Sequence, residues 1–166
     1  VDLGGFFDLA ERDARVGDLI DRFRGVKPPR FGNLYEAFVN AICNQQLSLE
    51  VGIELLNRFT EAFGQRPNDD QGLVAFPTPA AALGGSIREL RDLGFSTRKA
   101  EYLLSSADAI VTGEIDEERL LAADRAAATK MLLGLRGIGR WSAEYVLLRG
   151  LGRIDVFPAG DVGARN

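Results

Sequence analysis

An all-α fold, an orthogonal bundle of short helices, is what these 166 residues predict. Three observations carry that expectation. Apolar residues recur at three- and four-residue spacings in nearly every stretch between glycine or proline signals. Ser, Thr, Asn or Asp heads most of those stretches, where a side-chain oxygen can accept a free amide of the first helical turn. No run of five or more residues alternates cleanly between apolar and polar, as a half-buried strand would. The links are brief, so successive helices must pack against one another at once.

Elements are read from residue 33 onward. Asn33 and Glu36 have capping-box spacing ahead of a stripe of Leu34, Phe38, Ala41 and Ile42, and that helix is expected to end near Gln46. Ser48 caps the next, with Val51, Leu55, Phe59 and Phe63 on one side and Gly64 as its stop. Residues 65–77 read as a polar loop. Thr78-Pro79 opens a short helix, and Ser86 with Glu89 repeats the capping-box spacing before Leu90 and Leu93. Ser96 opens a helix carrying Ala100, Leu103, Leu104, Ala107 and Ile110. Asp116 and Asp124 head two more, the second running to Leu133, and a last strong helix spans about Arg140 to Leu151. Residues 100–104 (Ala-Glu-Tyr-Leu-Leu) are echoed at 143–148 (Ala-Glu-Tyr-Val-Leu-Leu), a weak internal repeat.

The composition narrows the chemistry. With 46% hydrophobic and 27% charged residues, the chain has the makeup of one folded domain over 1–166 and not of a disordered one. No apolar stretch nears the roughly 18 residues a bilayer span needs, and no secretory leader opens the chain. The expected protein is therefore cytoplasmic, nucleoid-associated if bacterial, and a monomer. A single cysteine, Cys43, excludes an internal disulfide or a four-thiolate cluster, and the lack of histidine removes the usual zinc ligands and the Ser/His/Asp triad. A net charge of −4 argues against nucleic-acid binding through global charge.

Leu133 to Asp161 is the informative stretch. Gly137-Ile138-Gly139 lies between two helices, its glycines free to take angles closed to other residues and to let a ligand approach the main chain. The turn feeds a helix N-terminus, where open amides and the dipole favour phosphate. From residue 129 to 154, Lys130, Arg136, Arg140, Arg149 and Arg153 oppose only Glu144, a local excess of +4 that leaves −8 for the rest of the chain. Trp141 and Tyr145, four residues apart, share a helix face. Gln45 continues the stripe of 34, 38, 41 and 42, so its amide points inward and needs partners, while Gln46 is rotated off that face. Phe6 and Phe7 read as an apolar plug for the core.

The run Gly137-Ile138-Gly139-Arg140-Trp141-Ser142-Ala143-Glu144-Tyr145, with Leu148 to Arg153 and Asp155-Val156-Phe157-Pro158-Ala159-Gly160-Asp161, resembles the helix-hairpin-helix (HhH-GPD) DNA glycosylase superfamily. More narrowly it is similar to the 3-methyladenine DNA glycosylase II branch. Ala41 to Ser48 and Leu93 to Ala100 match that branch in the same order, and the likeness covers residues 8–161. It implies the glycosylase fold, with the helix-hairpin-helix at about 125–151 and a loop at 152–161 bearing the catalytic Asp161, in a chain truncated at one or both ends. The implied partner is double-stranded DNA containing damaged bases.

The implied reaction is hydrolysis of the N-glycosidic bond of a flipped-out alkylated purine, with Asp161 opposite the positive charge that develops on the sugar. Trp141, Tyr145 and Gln45 would form the base pocket, the rings favouring a cationic base. Gln46 takes the place of the residue that wedges into the duplex, where some relatives carry an apolar side chain. Arg136, Gly137, Ile138, Gly139 and Arg140 would meet the DNA strand. Strand-cleaving relatives carry a lysine two residues after the second hairpin glycine, where this chain has Trp141, so a monofunctional enzyme using water is expected. No cofactor is required and no iron-sulfur cluster fits. A sodium or potassium ion on the main-chain carbonyls of Leu133, Leu135 and Ile138 is implied. The alternative is a non-catalytic helix-hairpin-helix module that only grips DNA.

Overall fold

The computed structural model describes residues 4–26, 29–67 and 72–165, apart from the side chains of Phe6, Ala164 and Arg165. Its centre is α3 (Leu34–Asn44), eight of whose side chains, Leu34, Tyr35, Ala37, Phe38, Val39, Ala41, Ile42 and Cys43, are buried. A helix buried on so much of its circumference needs partners on several sides. They are α4 (Leu49–Phe63), α7 (Thr97–Val111) and α10 (Arg140–Arg149). Phe38, Ile42, Phe59, Leu103 and Leu147 are fully enclosed between them, each side chain contributing roughly 1.5–3 kcal/mol by leaving water. Small residues set the closest approaches: a methyl on Gly150 would come within 2.9 Å of the Ala37 Cβ.

The remaining helices buttress this centre. α5 (Pro79–Leu83) and α6 (Ile87–Asp92) pack on α7, while α8 (Glu117–Ala122) leads to α9 (Arg125–Leu133), which packs on α10. The expected caps are present. The Ser48, Thr78, Ser86, Ser96, Asp116 and Asp124 side chains each accept a first-turn amide, and Ser86 with Glu89 closes a reciprocal capping box. Asn33 Oδ1 accepts the Glu36 amide at 2.8 Å. The Glu36 carboxylate, however, reaches the Gly32 amide at 3.0 Å instead of completing the box.

Four features add to or refine the reading along the chain. Two helices precede residue 33: α1 (Gly4–Arg12) and α2 (Ala14–Phe23), which pack on each other. Asp13 caps α2 by accepting the Arg15 amide at 3.0 Å. Second, Phe7 is no core plug; it is 37% exposed, with the Arg24 guanidinium over its ring, and the Phe6 side chain lies outside the described residues. Third, the described parts of 65–77 are less polar in character than read: Gln65 bridges Ala75, Pro77 is buried and Phe76 packs against Phe59 and Tyr35. Fourth, α3 and α10 stop at Asn44 and Arg149, short of Gln46 and Leu151. Last in the chain is the short α11 (Val162–Arg165). Among the described residues no helix is long and apolar enough to cross a membrane.

Candidate DNA interface and active site

The hairpin between α9 and α10 is closed by two short bonds, the Leu135 amide to the Leu132 carbonyl at 3.1 Å and the Ile138 amide to the Leu135 carbonyl at 3.2 Å. Leu135 and Ile138 are buried and anchor the turn in the core. The two glycines do different work. Gly137 has φ +84, in the left-handed region, and a methyl there would lie 2.2 Å from the Tyr102 ring. Gly139, contrary to expectation, has ordinary angles, φ −85 and ψ 178, and open space where a side chain would be. It is the N-cap of α10 and, lacking a side chain, leaves the first amides of that helix without a side-chain acceptor.

The end of α3 is tied to this hairpin. Gln45 Nε2 donates to the Gly137 carbonyl and to Ser142 Oγ, both at 2.9 Å, so its inward amide braces the turn. On the other side, Lys99 Nζ donates to the carbonyls of Ile42 and Cys43 at 2.7 Å each, a cation closing a helix C-terminus. Burial lowers the Lys99 pKa and, dominating over that nearby ammonium, pushes the Cys43 thiol up to about 12. Gln46 follows in the left-handed region at φ 56, exposed at the rim. A non-glycine residue held there is a local strain of the kind that gathers at working sites.

One open cleft of about 960 Å³ is bordered by Gln45, Gln46, Lys99, Gly137, Gly139, Arg140 and Asp161. Trp141 and Tyr145 stack on each other with centroids 5.1 Å apart and planes 27° apart. The row continues to Phe31, 6.1 Å from Tyr145, with the Arg149 guanidinium 5.0 Å from Phe31 and 5.7 Å from Tyr145. Burial, with the Asp161 charge adding to it and Arg149 opposing it, raises the Tyr145 pKa. Trp141 Nε1 donates to Asp161 Oδ2 at 2.8 Å. Asp161 thus sits on the same side of the molecule as the hairpin.

The basic excess of the hairpin segment is dispersed. Arg149 donates to the Pro29 carbonyl at 2.5 Å, and Arg153 pairs with Asp155 and with the carbonyls of Leu120 and Ala123. Both are held by main-chain carbonyls, Arg149 at the segment before α3 and Arg153 at the end of α8. Arg136 reaches Glu101 at 2.8 Å and Arg140 reaches Glu144 at 2.9 Å, yet both remain largely exposed at 69% and 83% of their side chains. Arg136 is absent from the cleft lining, whereas Arg98 and Lys99 from α7 join Arg140 there. The lining of the cleft therefore includes three cations and one carboxylate.

Reasoning from the sequence missed the α7 wall: Arg98, Lys99 and Tyr102. The signal was the echo of 100–104 in 143–148, which places Tyr102 and Tyr145 at equivalent positions of two helices flanking α3. The donor set for a monovalent cation is compatible with the hairpin. Leu133, Leu135 and Ile138 offer neutral carbonyl oxygens, and that of Leu135 carries one turn hydrogen bond with a lone pair to spare.

Comparison with known proteins places these features in context. Residues 39–166 match the family described as HhH-GPD superfamily base excision DNA repair protein. DNA-3-methyladenine glycosylase of Bacillus subtilis is 31% identical over 163 residues, covering 98% of this chain and 54% of the relative. DNA-3-methyladenine glycosylase 2 of Escherichia coli is 31% identical over 93% of this chain and 56% of its own length. A 3-methyladenine DNA-glycosylase from Archaeoglobus fulgidus superposes with a TM-score of 0.77 at 34% identity, covering 94% of this chain and 53% of that one. The Schizosaccharomyces pombe 3-methyladenine glycosylase Mag1, solved in complex with abasic DNA, gives 0.73 at 29% identity over 95% and 74%. The chain spans about half the length of the curated relatives it matches.

Proposed function

Because this chain belongs to the HhH-GPD superfamily of base excision DNA repair proteins, we propose that it forms the catalytic part of a DNA glycosylase that hydrolyses alkylated purines of the 3-methyladenine type from duplex DNA. The observation that carries this reading is the shared cleft: the open start of α10 and the Asp161 carboxylate border the same space, with an aromatic pair between them. A strand would be gripped at Gly137 to Arg140, where main-chain amides and Arg140 meet phosphate. Gln46 stands at the rim to fill the gap left in the stack, and the extruded base would lie against the rings of Trp141 and Tyr145. An alkylated purine is cationic and electron-poor, so aromatic faces favour it over a normal base by roughly 0.5–2 kcal/mol per contact.

In the chemical step the C1′–N bond breaks, its electron pair leaving with the base, and positive charge gathers on the sugar. The Asp161 carboxylate stabilises that charge, and a water oxygen then bonds to C1′ while its proton passes to that carboxylate and on to solvent. With Trp141 at the position a strand-cleaving lysine would occupy, the product is an abasic site in an intact strand. A sodium or potassium ion on the Leu133, Leu135 and Ile138 carbonyls would add a positive charge beside the gripped phosphate.

Incubation with duplexes bearing single lesions, assayed for free base, tests this reading. Release of alkylated purines and at least a hundredfold slower release by Asp161→Asn, with duplex affinity retained, is the expected result. Duplex binding without base release by the wild type would leave only a DNA-gripping module.

A further inference from the structure

Resting on that reading, we propose that Trp141 is a positioning residue for Asp161: its indole N–H fixes the carboxylate opposite the sugar, a role separate from stacking against the base. Two contacts at right angles in function meet in this one side chain. The ring face lies on Tyr145 with centroids 5.1 Å apart, which settles where the indole edge points. That edge donates Nε1–H to Asp161 Oδ2 at 2.8 Å, across twenty residues of chain.

Asp161 lies between the Pro158-Ala159-Gly160 bend and the four-residue α11. Its other oxygen, Oδ1, lies over Gly163, where a methyl would approach it to 3.2 Å. With Oδ2 engaged by the indole, the carboxylate plane cannot swing freely, and the negative charge is kept at one place in the cleft. An indole is suited to this task, being a neutral donor with no acceptor atom. It restrains the carboxylate without replacing the cation that the carboxylate is meant to face, as a lysine or arginine would. A fixed charge stabilises a developing cation better than one that must reorient during the reaction.

Trp141 is the sole tryptophan of the chain, so the N–H can be removed alone. Biosynthetic replacement of tryptophan by 3-benzothienylalanine exchanges N–H for sulfur at this one residue and keeps the two-ring shape. Trp141→Phe is the genetic counterpart. Single-turnover base release should slow by about tenfold to a hundredfold in both, the loss expected for one hydrogen bond to a charged group. The thermal midpoint and the affinity for a duplex holding a neutral tetrahydrofuran abasic analogue should stay as in the wild type. Affinity for a duplex holding a cationic pyrrolidine sugar mimic should drop with the rate. In an Asp161→Asn background the replacement should cost nothing further, since the partner charge is already gone.

A benzothienyl protein that releases base at the wild-type rate, or an equal loss in the Asp161→Asn background, overturns the positioning role and returns Trp141 to a wall of the pocket. Absence of base release from every lesion by the wild type would instead overturn the glycosylase reading itself, a separable result. A loss of affinity for both sugar mimics alike would also refute the proposal, because it would trace to packing and not to charge.

Discussion

The turn that leads into α7 and the turn that leads into α10 are built to one pattern and finished differently. Each has a left-handed glycine, Gly94 at φ +103 and Gly137 at φ +84, followed by a buried plug, Phe95 or Ile138. The register then holds: fully buried Ala100 matches Ala143, Glu101 and Glu144 hold Arg136 and Arg140, and Tyr102 and Tyr145 line the cleft. At the third helical position Lys99 and Ser142 each fasten the end of α3, one through the Ile42 and Cys43 carbonyls and the other through Gln45. The difference lies at the cap. Ser96 closes its own helix by accepting the Lys99 amide at 3.2 Å, while Gly139 has no side chain to do so. One copy is completed as structure. The other leaves its donors open and puts Trp141, the partner of Asp161, where the first has Arg98.

The sharpest way to break this pairing is at the glycines. Gly137→Ala sets a methyl 2.2 Å from the Tyr102 ring in a backbone region costly to L-residues, so strain and overpacking add to about 2–5 kcal/mol. Gly94→Ala pays the same backbone cost, but its methyl meets Arg58 Nη1 at 2.9 Å, the end of a flexible arm that can move aside. About 1–2 kcal/mol is expected there. Denaturant unfolding of the two variants checks the ranking. Equal losses would mean that the Tyr102 contact yields as readily as the arginine and that the hairpin is not pinned on α7.

Much of this was legible along the chain because the relevant signals are local. Ser86 with Glu89, Ser96 ahead of its apolar face and Trp141 four residues before Tyr145 are fixed by spacings within one or two turns, and the structure has them as spaced. What was not legible depends on partners distant in sequence. A charge count cannot tell that Arg149 and Arg153 are spent on carbonyls of Pro29, Leu120 and Ala123 while Arg98 faces the cleft. Gly139 looked like a twin of Gly137 because glycine is used both for left-handed angles and for having no side chain, and only the backbone separates those uses. The α7 wall was hidden for a related reason, as the echo at 100–104 had no visible partner until α3 was seen between its two copies.

Exchanging the caps sharpens the comparison. Gly139→Ser has room and suitable angles to cap α10, so stability should hold or rise by a few tenths of a kcal/mol. If the open amides receive a phosphate, occupying one should weaken duplex binding by about three- to tenfold, one ordinary hydrogen bond. The reciprocal Ser96→Gly should cost a few tenths of a kcal/mol. Fluorescence anisotropy with a labelled duplex reads the first effect and thermal melting the second. Unchanged affinity for Gly139→Ser would remove the amides of α10 from the set of DNA contacts.

The smallest expected effect lies one helix upstream, where α6 approaches the first turn behind a complete capping box and α9 approaches the second behind Asp124 alone. The Ser86 hydroxyl and then the Ser86 amide, at 2.7 and 2.8 Å, hold the Glu89 carboxyl below its ordinary value of 4.5. A carboxylate whose folded pKa is depressed contributes stability that is fully present above the unfolded value and is lost as pH falls through the folded one. The melting difference between wild type and Glu89→Ala should therefore be constant at neutral pH and close below about pH 4.5, with base release at the cleft unaffected. A difference that widened on acidification would mean that Glu89 serves the turn as a neutral acid. The box would then owe its hold on α6 to the Ser86 hydroxyl and its reach to the Glu89 amide.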